Sequence, residues 1–81
     1  MSRVVLITGA SRGIGRAMAV KFASAGWLVA ANYLKSEDKA RELKNSYDNI
    51  CIYKADVSKR DEVSKMFEAV RNELGPVDVL I

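Results

Sequence analysis

A glycine-rich stretch near the start of the chain limits the possible folds most strongly. Its sequence is T-G-A-S-R-G-I-G, at residues 8–15. The four residues before it, Val4 to Ile7, are apolar and mostly β-branched, which is typical of a buried strand. The residues after it, up to about Ala25, form a helical pattern. A tight glycine turn between a strand and a helix leaves unpaired N–H groups at the positive end of the helix, which suits an anion such as a diphosphate.

The spacing of the glycines distinguishes this stretch from other phosphate-binding loops. The dinucleotide pattern G-x-G-x-x-G would put its third glycine at the position of Met18. The P-loop needs four residues between its glycines and a Lys after the second one. The chain instead has T-G-x-x-x-G-x-G, with glycines at positions 9, 13 and 15. A glycine-rich turn without any ligand is the alternative interpretation.

The rest of the chain alternates between strand and helix. The expected strands lie at about residues 3–8, 27–32, 50–55 and from 77 onwards. The expected helices lie at about residues 13–25, 36–45 and 58–74. Ser36 and Ser58 are the predicted N-caps, and Asp61 completes a variant of the capping box with Ser58. Gly26 and Gly75 are placed to end the first and third helices.

Each helix has one apolar face at helical spacing. The first helix is expected to bury Ile14, Ala17, Met18, Phe22 and Ala25. The second is expected to bury Ala40, Leu43 and Tyr47, and the third Val63, Met66, Phe67, Val70 and Leu74. Continuous apolar strands that alternate with such helices predict a parallel sheet covered on both faces. With right-handed crossovers this is the first half of a Rossmann-type doubly wound α/β sheet, with strand order 3-2-1-4. A flavodoxin-like order is the alternative.

The composition excludes several classes of protein. The chain has 81 residues, enough for one small domain, and a formal net charge of +3. Acidic and basic residues are interleaved, which argues against a nucleic-acid partner. With no His and one Cys, Cys51, the chain offers no metal-ligand cluster and no internal disulfide. No apolar run reaches the ~20 residues that span a bilayer, and the N-terminus does not resemble a signal peptide. We therefore expect a cytoplasmic protein with no membrane partner.

Ligands of open α/β sheets bind beyond the carboxyl ends of the strands, where three loops of this chain meet. In the first loop the expected cofactor contacts are Gly9, Ser11, Arg12, Gly13, Ile14 and Gly15. The second loop follows the second strand and contributes Asn32, Tyr33, Lys35 and Ser36. The third contributes Asp56 and Val57, with Asp56 either accepting a hydrogen bond from the adenine amino group or only forming a turn. The residues alone favour neither interpretation of Asp56.

The end of the second strand bears on the choice of dinucleotide. A site for NAD usually has an Asp or Glu there, which binds the 2′-hydroxyl of the ribose. Here the position is Asn32, and no acid follows before Glu37. Arg12 can pair with a 2′-phosphate, and Lys35 does not repel one. These features favour NADP(H) over NAD(H), although ordinary solvated charge is the alternative interpretation of Arg12 and Lys35.

The stretch T-G-A-S-R-G-I-G-R-A resembles the cofactor loop of the short-chain dehydrogenase/reductase family. Gly26, Asp56-Val57 and the final segment G-P-V-D-V-L-I fall where the family has like segments, so the resemblance covers essentially the whole chain. With Asn32-Tyr33 included, the chain looks most like the branch of NADPH-dependent 3-oxoacyl-[acyl-carrier-protein] reductases. The resemblance implies hydride transfer from NADPH to a small-molecule or acyl-carrier-bound carbonyl, such as a 3-oxoacyl thioester. It also implies a homo-oligomer, a dimer or tetramer.

The catalytic residues that the resemblance implies lie outside this chain. In the family a Tyr-x-x-x-Lys helix, a Ser and an Asn do the chemistry, and all follow the fourth strand. Tyr47 and Tyr53 are not candidates, because neither has a Lys four residues later. The chain ends on an apolar strand, so we expect residues 1–81 to be the N-terminal part of a single NAD(P)-binding domain in a longer protein.

Three other functions remain open on the sequence. One is a catalytically inactive dinucleotide-binding or regulatory module. Another is a short-chain dehydrogenase for a sugar, a steroid or another alcohol. The third is a Rossmann-like domain for a different adenine ligand, such as a methyl donor.

Overall fold

A computed structural model describes residues 3–81, so residues 1 and 2 of the expected domain lie outside the described part. Strands and helices alternate, as the sequence predicts. The strands are β1 (Val4–Ile7), β2 (Leu28–Tyr33), β3 (Ile50–Lys54) and β4 (Val79–Leu80). The helices are α1 (Gly13–Ser24), α2 (Glu37–Ser46) and α3 (Arg60–Glu73). No helix within residues 3–81 has the length and apolar character needed to cross a membrane.

The four strands form one parallel sheet in the order β3-β2-β1-β4. This order confirms the predicted first half of a doubly wound sheet and rules out the flavodoxin-like alternative. The register sets Val5 of β1 opposite Val29 of β2 and Val79 of β4. Because β1 lies inside the sheet and helices cover both faces, all four of its residues are buried, which is why its sequence is continuously apolar.

The core has two parts, one on each face of the sheet. Successive residues of a strand point to opposite faces, so Val5 and Ile7 pack on one side and Leu6 on the other. The first part also includes residues of α1 and α2, such as Ala19, Ala23 and Leu43. The second includes Met66 and Val70 of α3. Of the predicted apolar faces of α2 and α3, Ala40, Leu43, Met66 and Val70 are buried, whereas Tyr47, Phe67 and Leu74 are only partly buried against the core. Val63 is also only partly buried.

The predicted apolar face of α1 is partly wrong, because the helix buries other residues than expected. Ala19 and Ala23 are the buried residues of this helix, whereas Ile14 is 84% exposed and Ala17 and Ala25 are also exposed. Met18 and Phe22 pack only at the border of the core. The reason is that α1 begins very close to the loop after β1. Only small side chains at four-residue spacing fit between the helix and the sheet, and the larger apolar residues lie on the flank.

The end of α1 is as predicted. Gly26 has φ +90°, a left-handed conformation that favours glycine, and its N–H donates to the Ala23 carbonyl at 3.0 Å. The N–H of Trp27 donates to the Phe22 carbonyl at 3.1 Å. These two bonds form a Schellman motif. The rings of Phe22 and Trp27 meet edge to face, with centroids 4.9 Å apart, and so fix the direction in which the chain enters β2.

The predicted side-chain caps of α2 and α3 are wrong. Ser36 does precede α2 directly, but it has φ 62° and its side chain makes no capping hydrogen bond. Helix α3 begins at Arg60, with Lys59 at the N-cap position and no side-chain cap. The Ser58 hydroxyl instead donates to Asp56 Oδ1 at 2.6 Å, so the capping box with Asp61 does not form. A carboxylate two residues away competes successfully for the hydroxyl.

Candidate cofactor site

The loop between β1 and α1 depends on its glycines for different reasons. Gly9 and Gly13 have φ +61° and φ +65°, in the left-handed region that favours glycine. Gly15 has an ordinary φ, but a Cβ there would overlap the carbonyl oxygen of Gly9 and lie 2.9 Å from its carbonyl carbon. The first two glycines therefore form the turn, and the third lets the helix start against it.

The amides of this loop fall into two groups. The N–H of Gly9 donates to Asn32 Oδ1 at 3.3 Å, and that of Ala10 donates to the Asn32 carbonyl at 2.8 Å. The next five amides, those of residues 11–15, have no hydrogen-bond partner within residues 3–81. Consecutive unpaired N–H groups at the start of a helix form a concave donor surface for an anion. Such a donor surface suits a diphosphate, and its occupation by one stays a prediction of the sequence.

A cavity of about 240 Å³ lies between this loop and the segment after β2. Its lining consists of Gly9, Ser11, Arg12, Tyr33, Leu34, Lys35 and Ser36. Six of these seven are predicted site residues, brought together from two separate loops. Leu34 is the one lining residue that was not predicted, and its only signal in the sequence is its place between Tyr33 and Lys35. The cavity is smaller than the roughly 300–1,000 Å³ of pockets that enclose a whole small molecule, so it fits part of an extended ligand.

The side chains around the cavity leave it with positive charge. Arg12 and Lys35 form no ion pair and no side-chain hydrogen bond within residues 3–81. Glu37 follows the cavity in sequence, but its carboxylate is occupied. It accepts a hydrogen bond from Arg41 at 3.1 Å and one from the Tyr33 hydroxyl at 3.3 Å. A phosphate in the cavity would therefore meet two cations without partners, and the carboxylate that follows the cavity in sequence is already paired.

The second strand ends one residue later than the sequence analysis places it. Tyr33, not Asn32, is the last residue of β2 and lines the cavity. Tyr33 is not acidic either, so the argument from the missing carboxylate stands. Its ring is buried, and this burial, followed by the nearby Glu37 carboxylate, raises the pKa of the Tyr33 hydroxyl. The hydroxyl therefore stays neutral and continues to donate to Glu37.

Asn32 lies beneath the cavity and does not contribute to its lining. It is only 3% exposed. Its Nδ2 donates to the carbonyls of Tyr53 and Ala55, at 3.3 and 3.1 Å, while its Oδ1 accepts from Gly9. The amide is therefore occupied by three backbone groups of the protein.

The third loop lies apart from the cavity lining. Asp56 Oδ1 accepts hydrogen bonds from both the hydroxyl and the N–H of Ser58, which lower the pKa of the Asp56 carboxyl. This is the turn-forming arrangement of the two interpretations, and the other carboxylate oxygen remains available to a ligand. Val57 is 52% exposed. Gly13, Ile14 and Gly15 also lie outside the lining, on the side of the unpaired amides.

Two larger concavities in the described part of the chain lack this combination of unpaired amides and free cations. One, of about 340 Å³, lies beside Met18, Phe22 and Trp27, and the other, of about 530 Å³, beside Phe67 and Pro76. Neither is lined by the predicted site residues. Within residues 3–81 no group of three metal-ligating side chains is present. The loop cavity is therefore the candidate site.

Comparisons with known sequences agree with one another. The sequence profile described as short chain dehydrogenase matches residues 3–81. The chain is 43% identical over 81 residues to an acetoacetyl-CoA reductase of Shinella zoogloeoides and covers 33% of it. It is 44% identical over 85 aligned positions to a 3-oxoacyl-[acyl-carrier-protein] reductase of Staphylococcus epidermidis and covers 35% of it. Both alignments include 100% of this chain, which thus spans about a third of the length of these relatives.

Solved structures with the same fold include a short-chain dehydrogenase/reductase and a complex with NADPH. A blue fluorescent protein from a metagenomic library, in complex with NADPH, superposes with a TM-score of 0.90 at 31% identity. A mutant short-chain dehydrogenase/reductase of Serratia marcescens superposes with a TM-score of 0.91 at 28% identity. Each match covers 96% of this chain and 34% of the other. The chain therefore belongs to the short chain dehydrogenase family of oxidoreductases, and its sheet is the first half of the Rossmann-type sheet of that family.

Proposed function

We propose that this chain is the NADP(H)-binding part of a short chain dehydrogenase that reduces the carbonyl of a 3-oxoacyl thioester. One observation supports the choice of cofactor most directly. The cavity beside the five unpaired amides contains two cations without partners, Arg12 and Lys35, and no free carboxylate. A diphosphate and an additional phosphate on the ribose are the anions that this arrangement suits.

The residues have separate roles in this proposal. The amides of residues 11–15 hold the diphosphate, with Gly13, Ile14 and Gly15 at the start of α1. Arg12, Lys35 and Ser36 contact the 2′-phosphate, and Tyr33 forms the wall beside the ribose. Asp56 and Val57 contact the adenine from the third loop. The cofactor supplies the hydride, and the 81 residues bind and orient its adenine half.

The substrate class comes from the relatives. Acetoacetyl-CoA and 3-oxoacyl-[acyl-carrier-protein] are both thioesters with a carbonyl at carbon 3, and the relatives named for them match the whole of this chain. We therefore propose a small-molecule or acyl-carrier-bound 3-oxoacyl thioester as substrate and a role in fatty acid biosynthesis. We also propose a cytoplasmic dimer or tetramer, with the catalytic Tyr and Lys downstream of Ile81.

A rate measurement on the full-length protein tests this function. Acetoacetyl-CoA is added with NADPH or with NADH, and oxidation of the cofactor is followed by its absorbance. We expect turnover that is faster with NADPH, and a Tyr-x-x-x-Lys sequence in the reading frame beyond Ile81. Binding of NADPH without turnover of any 3-oxoacyl thioester, sugar or steroid would indicate a regulatory module instead. Stabilisation by another adenine ligand, with none by either dinucleotide, would refute the cofactor assignment.

A further inference from the structure

Three loops of the site meet at one buried side chain, that of Asn32. Its Oδ1 accepts the N–H of Gly9 in the loop after β1. Its Nδ2 donates to two carbonyls at the end of β3, those of Tyr53 and Ala55. These contacts span 21 to 23 positions of sequence. The side chain therefore joins the glycine loop to the segment that leads into Asp56.

Only an amide satisfies these three partners. One partner is a donor and two are acceptors, and a primary amide offers one acceptor oxygen and two N–H donors. The reversed orientation would put the oxygen against two carbonyl oxygens, so the hydrogen bonds fix the orientation. An Asp at this position has no donor when ionised and would face the same two carbonyl oxygens. The identity of Asn32 is thus dictated by backbone groups of the protein.

The effect of Asn32 on the glycine loop is selective. Its side chain and its carbonyl accept the N–H groups of Gly9 and Ala10, which therefore turn toward the sheet. The five amides that follow remain without a partner within residues 3–81. Asn32 thus marks the boundary between the amides that fix the loop and those that can bind a ligand.

We propose that Asn32 is a positioning residue of the cofactor site. It holds the glycine loop in the conformation that presents the amides of residues 11–15, and it does not contact the ribose. The proposal rests on the proposed function in one respect, namely that these amides bind the diphosphate of a dinucleotide. Since NADPH and NADH share the diphosphate, Asn32 contributes equally to the affinity for both.

Two substitutions in the full-length protein test this role. Asn32→Ala removes the amide, and Asn32→Asp replaces its donor with a negative charge. We expect both variants to bind NADPH and NADH at least about tenfold more weakly, and in Asn32→Ala the ratio of the two dissociation constants stays within about twofold of wild type. In turnover assays KM for the cofactor rises while kcat at saturation is retained, whereas mere loss of folded protein would lower kcat alone. Arg12→Ala is the matched comparison, because it is expected to change the ratio.

A different result for Asn32→Asp would overturn the proposal. If that variant loses affinity for NADPH and gains affinity for NADH, the side chain reads the ribose directly. If Asn32→Ala binds both dinucleotides as tightly as wild type, Asn32 does not position the loop.

Hydrogen exchange provides a test that needs no bound cofactor. We expect the amides of Gly9 and Ala10 to exchange slowly and those of residues 11–15 to exchange fast. In Asn32→Ala the Gly9 amide should also exchange fast, because it loses its acceptor, whereas Ala10 keeps the backbone carbonyl of residue 32. If the wild type bound no dinucleotide, the proposed function would fail, while this pattern would still support the role of Asn32 in the loop. Equal exchange rates across residues 9–15 of the wild type would refute it.

Discussion

Arg12 is the residue that best separates the two dinucleotides. Arg12 lines the loop cavity and its guanidinium has no partner within residues 3–81, so its charge is available to an anion. We expect Arg12→Ala to weaken binding of NADPH by ~1–3 kcal/mol more than binding of NADH, because only NADPH carries the 2′-phosphate. Titration of the full-length protein with each cofactor measures this difference.

Arg71→Ala is the matched control for this prediction. Arg71 is an exposed Arg in the last turn of α3 and does not line the loop cavity. Its removal is expected to leave both affinities unchanged. Equal losses of NADPH and NADH affinity in Arg12→Ala would remove Arg12 from the 2′-phosphate site.

Asp56 makes a prediction about pH. The hydroxyl and N–H of Ser58 stabilise the ionised carboxyl, so the pKa of Asp56 is lower in the folded state than in the unfolded state. This difference stabilises the fold above the unfolded pKa and is lost as pH falls through the folded one. We expect Ser58→Ala to raise the pKa of Asp56 and to flatten the acid arm of the stability curve.

Carboxyl chemical shifts across an acid titration measure that pKa directly. Ser64→Ala, at an exposed position of α3, is expected to leave the pKa of Asp56 as it is in wild type. A pKa that is the same in Ser58→Ala and wild type would show that the hydroxyl does not stabilise the carboxylate.

Residue types alone could identify some of these groups and not others. The cations Arg12 and Lys35 could be selected from the sequence because they follow strand ends, where ligands of such sheets bind. The three backbone partners of Asn32 could not be foreseen. They depend on the register of β2 with β3, in which Asn32 lies opposite Tyr53, and no local pattern encodes that register. Likewise, the sequence does not show whether the Ser58 side chain caps α3 or donates to Asp56.

At the scale of elements, α1 shows how a glycine can set the distance between a helix and a strand. A Cβ at Gly15 would overlap the Gly9 carbonyl, whereas Gly26 has nothing within 4 Å of the position of a Cβ. We expect Gly15→Ala to destabilise the full-length protein by ~1–3 kcal/mol through overpacking and to weaken cofactor binding. Gly26→Ala is expected to cost ~1–2 kcal/mol through backbone strain alone, with binding retained.

Urea unfolding and cofactor titration of the two variants separate these effects. Weak binding in Gly15→Ala together with unchanged binding in Gly26→Ala would agree with a contact at the loop. Unchanged affinity in Gly15→Ala would contradict the close approach.

The order of the elements was easier to predict than the face that each helix buries. Continuous apolar strands and amphipathic helices indicated the parallel sheet, because burial on both faces requires those patterns. The faces of α2 and α3 followed from their large apolar residues. The face of α1 did not, because hydrophobic periodicity gives weight to Ile14 and Phe22 and little to Ala19 and Ala23. The residues that α1 buries are determined by the narrow space between the helix and the sheet, which follows from the close approach at Gly15.

At the scale of the whole molecule, the sheet divides the core into two independent parts. Leu6 is fully buried on the α3 side, and Leu43 is nearly so on the side of α1 and α2. We expect Leu6→Ala and Leu43→Ala each to lower the free energy of unfolding by ~2–5 kcal/mol. Because the two side chains belong to separate clusters on opposite faces of the sheet, the double variant should equal the sum within about 0.5 kcal/mol.

Denaturant unfolding of the two single variants and the double variant measures the coupling. A coupling energy above about 1 kcal/mol would mean that the two parts of the core communicate through the sheet.

Strand β1 pairs with β4, which the ribosome synthesises much later. The N–H of Val4 donates to Asp78 Oδ2 at 2.8 Å, across 74 positions of sequence. A ribosome that adds about 5–20 residues per second needs roughly 4–15 s to synthesise that stretch. Until then one edge of β1 lacks its partner, and an unpaired apolar edge attracts other extended chains. Nascent copies of this protein are thus most open to capture by chaperones, or to mispairing on a polysome, in the interval before β4 emerges.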